Sequence, residues 1–137
     1  MSHLAEIDLR RADPANRHRD AGKRAWFSGD SAERAVAALY DRQGYDLLDM
    51  RWRGQGGEID LILSREGVIV FVEVKQARSF DRARARLGAA QMRRIHAAAS
   101  EYLADAPNGQ LSDVRFDLAA VDGSGQVQII ENAFGHF

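Results

Sequence analysis

The chain predicts an α/β domain: a mixed central sheet of about five strands with α-helices packed against it. Three observations lead there. An apolar stripe at helical spacing runs from Ala32 to Tyr40, three strand-like segments follow one another between Tyr45 and Lys75, and a second helical stretch precedes two more strands. The order is α-β-β-β-α-β-β. With 137 residues, 45% of them hydrophobic, the chain suits one domain with a real core and leaves no room for a second.

Residues 1 to 27 mix charges with Pro14, Asn16 and Gly22, show no sustained period and carry a net charge of +2. They read as a flexible or partly helical extension ahead of a single domain over 28–137. Ala32, Ala35, Val36, Leu39 and Tyr40 then mark one face of an amphipathic helix, which Gly44 ends. Asp30 stands where an N-cap would. A first strand is expected from Tyr45 to Trp52, a glycine-rich turn from Gly54 to Gly57, and strands over Glu58–Leu63 and Val68–Lys75, the last two close enough for a hairpin. A helix from Arg84 to Leu103 should turn Gln91, Met92, Ile95, Ala98, Ala99, Tyr102 and Leu103 inward before Asp105, Pro107, Asn108 and Gly109 stop it. Strands over Val114–Val121 and Gln126–Glu131 are joined by the turn Asp122 to Gly125.

Composition excludes several functions. There is no cysteine, and His3, His18, His96 and His136 are scattered, so neither disulfides nor a nitrogen- or sulfur-ligated transition metal is expected. Neither a signal-peptide core nor a membrane-spanning apolar run is present, which points to the cytoplasm. The formal net charge of −1 hides an uneven distribution. Residues 76 to 100 carry Arg78, Arg82, Arg84, Arg86, Arg93 and Arg94 against Asp81 alone, a net +5, whereas residues 101 to 137 carry a net −5. A basic face suited to nucleic acid is compatible with this run, and so is an ordinary solvated helix.

The segment Val68 to Lys75, VIVFVEVK, concentrates the chemistry. Along a strand Val68, Val70, Val72 and Val74 face one way while Ile69, Phe71, Glu73 and Lys75 face the other, so two charges enter an otherwise buried element. Removing an ion from water costs several kcal/mol, and pairing it inside a protein often does no better than break even. A site explains the charges, although a Glu/Lys pair with its tips in solvent would also account for them. Lys75 and Lys23 are the only lysines beside seventeen arginines, and lysine is the cation whose proton can move.

In the preceding strand, alternation puts Glu58, Asp60 and Ile62 on one face and Ile59, Leu61 and Leu63 on the other. Asp60 and Glu73 can therefore meet across neighbouring strands, with Glu58 nearby. Clustered carboxylates repel unless a proton or cation intervenes, and oxygen donors alone favour Mg²⁺ or Mn²⁺. Glu33, beside the stripe of the first helix, is a candidate fourth member. It is equally placed to complete a capping box with Asp30.

These residues form a set: GEIDLI at 57–62, VFVEVK at 70–75, Ala32 and Glu33 with Gly44 and Tyr45, RFDL at 115–118, and NAF at 132–134. The set resembles the YraN family of small bacterial proteins, which in turn resembles the Holliday-junction-resolvase branch of the PD-(D/E)xK nucleases. The resemblance runs from about residue 29 to the C-terminus and implies a restriction-endonuclease-like core. It implies that Asp60 is the motif aspartate, that Glu73 and Lys75 form the ExK element, and that Glu33 is the helical glutamate that helps to hold the metal. Glu58 falls in the family's GEID signature. Ala32 replaces a usual glycine, Gln91 stands where a basic residue is common, and the segment after Lys75 is shortened and arginine-rich.

The function expected on this basis is metal-dependent endonucleolytic hydrolysis of DNA, selective for branched or recombination and repair intermediates. Mg²⁺ or Mn²⁺ would be held by Asp60, Glu73, Glu33 and the carbonyl of Val74, with Lys75 catalytic and Glu58 and Gln91 auxiliary. Arg78, Arg82, Arg86 and Arg93 would contact nucleic acid; if all are helical, Arg82, Arg86 and Arg93 share a face. A homodimer and a helicase or recombination protein are expected partners by analogy. The competing readings are a non-catalytic nucleic-acid-binding accessory module and a structural domain whose carboxylates merely form ion pairs. The end Ala133 to Phe137 would pack at a dimer interface or cap the core.

Overall fold

The computed structural model describes residues 27–106 and 113–135. Helix α1 (Phe27–Arg42) leads into strands β1 (Asp46–Arg53), β2 (Glu58–Arg65) and β3 (Val68–Gln76). Two helices, α2 (Phe80–Ala85) and α3 (Ala89–Ala104), precede β4 (Asp113–Val121) and β5 (Val127–Ile130). The sheet order is β1-β2-β3-β4-β5. The β3/β4 pair is parallel and the other pairs antiparallel, giving the mixed five-stranded α/β sheet of a restriction-endonuclease-like fold. Parallel pairing requires a crossover between β3 and β4, which is where α2 and α3 lie. The expected extension falls almost wholly on residues outside those described, as do Pro107 to Gly109.

The sheet divides two apolar layers. Ala32, Val36, Ala37 and Tyr40 of α1 pack on Leu61, Leu63, Val70, Val72, Ala119 and Val121. Ile95, Ala98, Ala99 and Leu103 of α3 pack on Ile62, Phe71, Phe116 and Leu118. Ala32, Val36 and Tyr40 of the stripe read from the sequence are thus on the buried face of α1, joined by Ala37, while Ala35 and Leu39 are half-buried at its margin; the inner face expected for the second helix is that of α3. Gly44, at φ +88°, turns the chain out of α1, a conformation that costs glycine nothing. Phe134 is buried and tilts against Phe116, on which His96 stacks at 3.9 Å between ring centroids. Within the C-terminal stretch, Phe134 therefore caps the core.

Three expectations are corrected. α1 begins at Phe27, so Asp30 lies inside the helix and cannot be its N-cap; the capping box with Glu33 is not formed. The single helix expected from Arg84 is broken. Arg86 caps α2, Gly88 caps α3 from an extended conformation, and a short helix starting at Phe80 occupies the arginine-rich connection. The i, i+4, i+11 relation of Arg82, Arg86 and Arg93 rested on an unbroken helix and is lost.

Strict alternation along β2 also fails. Ile59 packs with Ile62 on the α3 side, while Leu61 and Leu63 face α1. On β1, Met50 faces α1 and Trp52 faces α3. The ladder pairs Met50 with Leu61 and Trp52 with Ile59, so both strands change face at the step between, where Arg51 adopts φ +54°. A left-handed residue inside a strand re-aims the chain on either side of it.

The glycine-rich β1–β2 turn is a docking feature. Glu101 of α3 accepts hydrogen bonds from the backbone N–H groups of Gln55 at 2.7 Å and Gly56 at 2.5 Å. A Cβ on Gly56 would stand 2.9 Å from the Cβ of Ala97, so only glycine lets the loop approach the helix this closely. Glu101→Ala should cost about 1–2 kcal/mol by leaving those amides without their charged acceptor. Chemical denaturation together with faster amide exchange at Gln55 and Gly56 checks this.

Candidate active site

β2 and β3 form a hairpin from the turn at Glu66 and Gly67, both at positive φ as a two-residue hairpin loop requires. The ladder runs from Arg65↔Val68 to Leu61↔Val72. One residue further on each strand stand Asp60 and Glu73. There the backbone N–H of Val74 donates not to a β2 carbonyl but to Asp60 Oδ2, at 2.8 Å. The face change at Arg51 and Asp60 thus aims the Asp60 carboxylate along the sheet toward β3, which stays paired with β4 as far as Gln76↔Val121.

Glu73 lies on the α3 side of β3, as the alternation from Ile69 and Phe71 predicts. It is 5% exposed, and it and Asp117 are the two buried charged residues among those described. Its Oε2 lies 3.2 Å from Lys75 Nζ and accepts a hydrogen bond of 2.7 Å from Gln91 Nε2 on α3. Burial pushes the Glu73 carboxyl up to about 8, with the charge of Asp60 adding to the rise and Lys75 opposing it. Burial also raises Asp60, against the stabilising N–H of Val74; Glu58 contributes a further rise and Lys75 a fall. Two carboxyls within hydrogen-bonding reach, taken out of water beside one ammonium, behave as a pair that a shared proton or a cation relieves.

The chemistry of that donor set fits a hard divalent ion. Both side chains offer oxygen, both are desolvated anions in the ionised state, and Mg²⁺ needs only one or two protein carboxylates because it retains waters. The remaining expected members are engaged by arginines. Glu33 Oε1 accepts a hydrogen bond of 2.7 Å from Arg51 Nε. Glu58 is exposed, with Arg53 Nη2 at 3.4 Å. Among the described residues, no three histidine, aspartate or glutamate side chains are gathered as a metal-ligand set. What the fold brings together is Asp60, Glu73, Lys75 and Gln91.

The arginines differ from one another. Arg78, Arg82, Arg86 and Arg93 are all exposed, and Arg86 in addition donates to the carbonyl of Gln76 at 2.6 Å and so ties the end of α2 to the end of β3. Arg84 pairs with Asp81 and donates to Gln128. Sequence reasoning missed Arg51 and Glu101. Arginine has no preference for left-handed backbone, so nothing marked Arg51; the unpaired amides of a glycine-rich loop were the available signal for Glu101.

A second polar cluster joins the motif segments RFDL and NAF. Asp117 is fully buried. It accepts from Tyr40 Oη at 2.7 Å, from Arg115 Nε and Nη2 at 2.9 Å each, and from the backbone N–H of Asn132 at 2.9 Å. Arg115 Nη2 also donates to Tyr45 Oη at 2.8 Å. Burial, then the charge of Asp117, drives the Tyr40 hydroxyl far above the usual phenol range. This cluster ties α1, β4 and the segment after β5 together.

Comparison with known proteins gives one family. Residues 32–121 match the model of a family described as "Uncharacterised protein family UPF0102". A UPF0102 protein of Ruegeria pomeroyi is 56% identical over 115 residues, covering 84% of this chain and 94% of that protein. One of Roseobacter denitrificans is 51% identical over 113 residues, with 82% and 88% covered. One of Cereibacter sphaeroides is 51% identical over 114 residues, with 83% and 97% covered.

Proposed function

The chain belongs to the uncharacterised protein family UPF0102, the YraN family, and for this member we propose metal-dependent hydrolysis of DNA phosphodiester bonds. The observation that carries the reading is the convergence of Asp60 and Glu73 beside Lys75 where β2 and β3 part. Asp60 and Glu73, with the carbonyl of Val74, would hold Mg²⁺ or Mn²⁺. When bound, such an ion lowers the pKa of a water and neutralises charge developing on the phosphate. Gln91 fixes the Glu73 carboxylate from α3, and Lys75 is placed to orient the attacking water or offset transition-state charge. The exposed Arg78, Arg82 and Arg93 serve backbone phosphates, a contact without sequence information and sensitive to salt.

Branched or single-strand-containing DNA of recombination and repair is the proposed substrate, in the cytoplasm. A second copy of the chain and a helicase or recombination protein are proposed partners. No helix among the described residues is long and apolar enough to cross a membrane. One observation favours the alternative of a non-catalytic accessory module: Glu33 is engaged by Arg51 rather than gathered with the pair.

Incubating branched, flapped and linear DNA with the protein and Mg²⁺ or Mn²⁺ tests the proposal. Wild type should cut at least one substrate, and Lys75→Ala should cut it about a hundredfold more slowly. Equal cutting by the variant removes Lys75 from the mechanism. Binding without cutting under either metal favours the accessory module.

A further inference from the structure

The Arg51–Glu33 pair joins two unusual features. Arg51 holds a backbone conformation that costs a non-glycine residue about 1–2 kcal/mol, at φ +54° inside β1. It stands at the ladder step facing Asp60, between Met50↔Leu61 and Trp52↔Ile59. Its Nε lies 2.7 Å from Glu33 Oε1, with the two side chains only 30% and 13% exposed. A guanidinium keeps its charge at every working pH, so loss of a proton from Arg51 does not release this contact.

We propose that Arg51 is a positioning residue that sets the cation affinity of the site, by holding Glu33 in an ion pair that a divalent ion must break to recruit Glu33. This rests on the metal-binding reading above. The oxygen that Arg51 occupies is one an ion would use, and the guanidinium repels an approaching dication. Binding with Glu33 as ligand therefore proceeds by exchange: the carboxylate leaves arginine for the metal. The strained backbone at Arg51 is what directs its side chain toward α1 rather than leaving it on the alternation of β1.

Asparagine tolerates left-handed backbone, so Arg51→Asn removes the cation while keeping the turn of the strand. Mn²⁺ is titrated calorimetrically into the full chain as wild type, Arg51→Asn, Arg51→Lys, Glu33→Gln and the Arg51→Asn/Glu33→Gln double variant, with metal-free melting of each as the folding control. The expected result is about tenfold tighter Mn²⁺ binding by Arg51→Asn, a return toward wild type in Arg51→Lys, and no gain from Arg51→Asn once Glu33 is glutamine. A merely structural role would not make the gain depend on Glu33. Unchanged or weaker binding by Arg51→Asn, or the same gain in the double variant, overturns the proposal while leaving the metal site intact. Absence of any Mn²⁺ binding in wild type and Arg51→Asn alike overturns the parent reading as well.

Discussion

Asp117→Ala is expected to lower the stability of the fold by about 3–5 kcal/mol, the usual cost of removing one partner from a buried charged network. The carboxylate is fully buried and receives four hydrogen bonds, from Tyr40, Arg115 twice and the backbone of Asn132. Its loss strands the Tyr40 hydroxyl and the Asn132 amide without an acceptor, and leaves the half-buried Arg115 guanidinium with only the distant, exposed carboxylate of Glu131 at 3.8 Å among the described residues. For a chain of this length the melting temperature should fall by roughly 15 °C. Tyr40→Phe removes one neutral donor and should cost about 1 kcal/mol. Denaturant titration of the three proteins decides it; a loss under 1 kcal/mol for Asp117→Ala would show the network to be dispensable.

The metal-free protein should become less stable as pH rises through the neutral range, and Glu73 should be the principal cause. Its carboxyl is held up to about 8 in the fold by burial and by Asp60. In the unfolded chain it ionises near its ordinary value of about 4.5. Below that value both states are protonated and the fold keeps its full stability. Between there and about 8 the unfolded state gives up its proton while the fold retains it, so stability falls with pH, then levels off. Asp60, raised in the same direction, adds to the fall. A loss of about 3 kcal/mol between pH 5 and pH 8 is expected in the presence of a chelator. Glu73→Gln should flatten the profile, and Mn²⁺ should restore stability at pH 8 in wild type but not in the variant. A slope unchanged by Glu73→Gln would assign the titration to another group.

The elements that could be read from local pattern are those whose burial is set by one face at a regular period. Most of the apolar stripe of α1 (Ala32, Val36 and Tyr40), the alternation along β3 and the inner residues of α3 came out as read, because each side chain's direction follows from its place in a helix or strand. That Asp60 and Glu73 stand on adjacent strands was legible because a short hairpin constrains its own register, whereas the aim of the Asp60 carboxylate toward β3 comes from the face change in β2.

Where local pattern misled, a distant contact had overridden it. Arg84 to Gly88 suited a continuous helix by composition, yet the chain breaks there to set α3 against the sheet. Asp30 and Glu33 had cap spacing, but α1 starts earlier and Glu33 finds Arg51, eighteen residues away. Arg51 itself carries no mark in the sequence.

Periodicity and residue chemistry were thus sufficient for the α/β class, the strand that bears Glu73 and Lys75, and the acidic partner at Asp60. The tertiary structure alone decided that Gln91 braces Glu73, that Asp117 knots α1 to β4, and that Arg51 pairs with Glu33. The reason is physical. Such contacts join residues separated by 18 to 77 positions, and which donor reaches which acceptor depends on how layers pack, a quantity that no spacing along one element encodes.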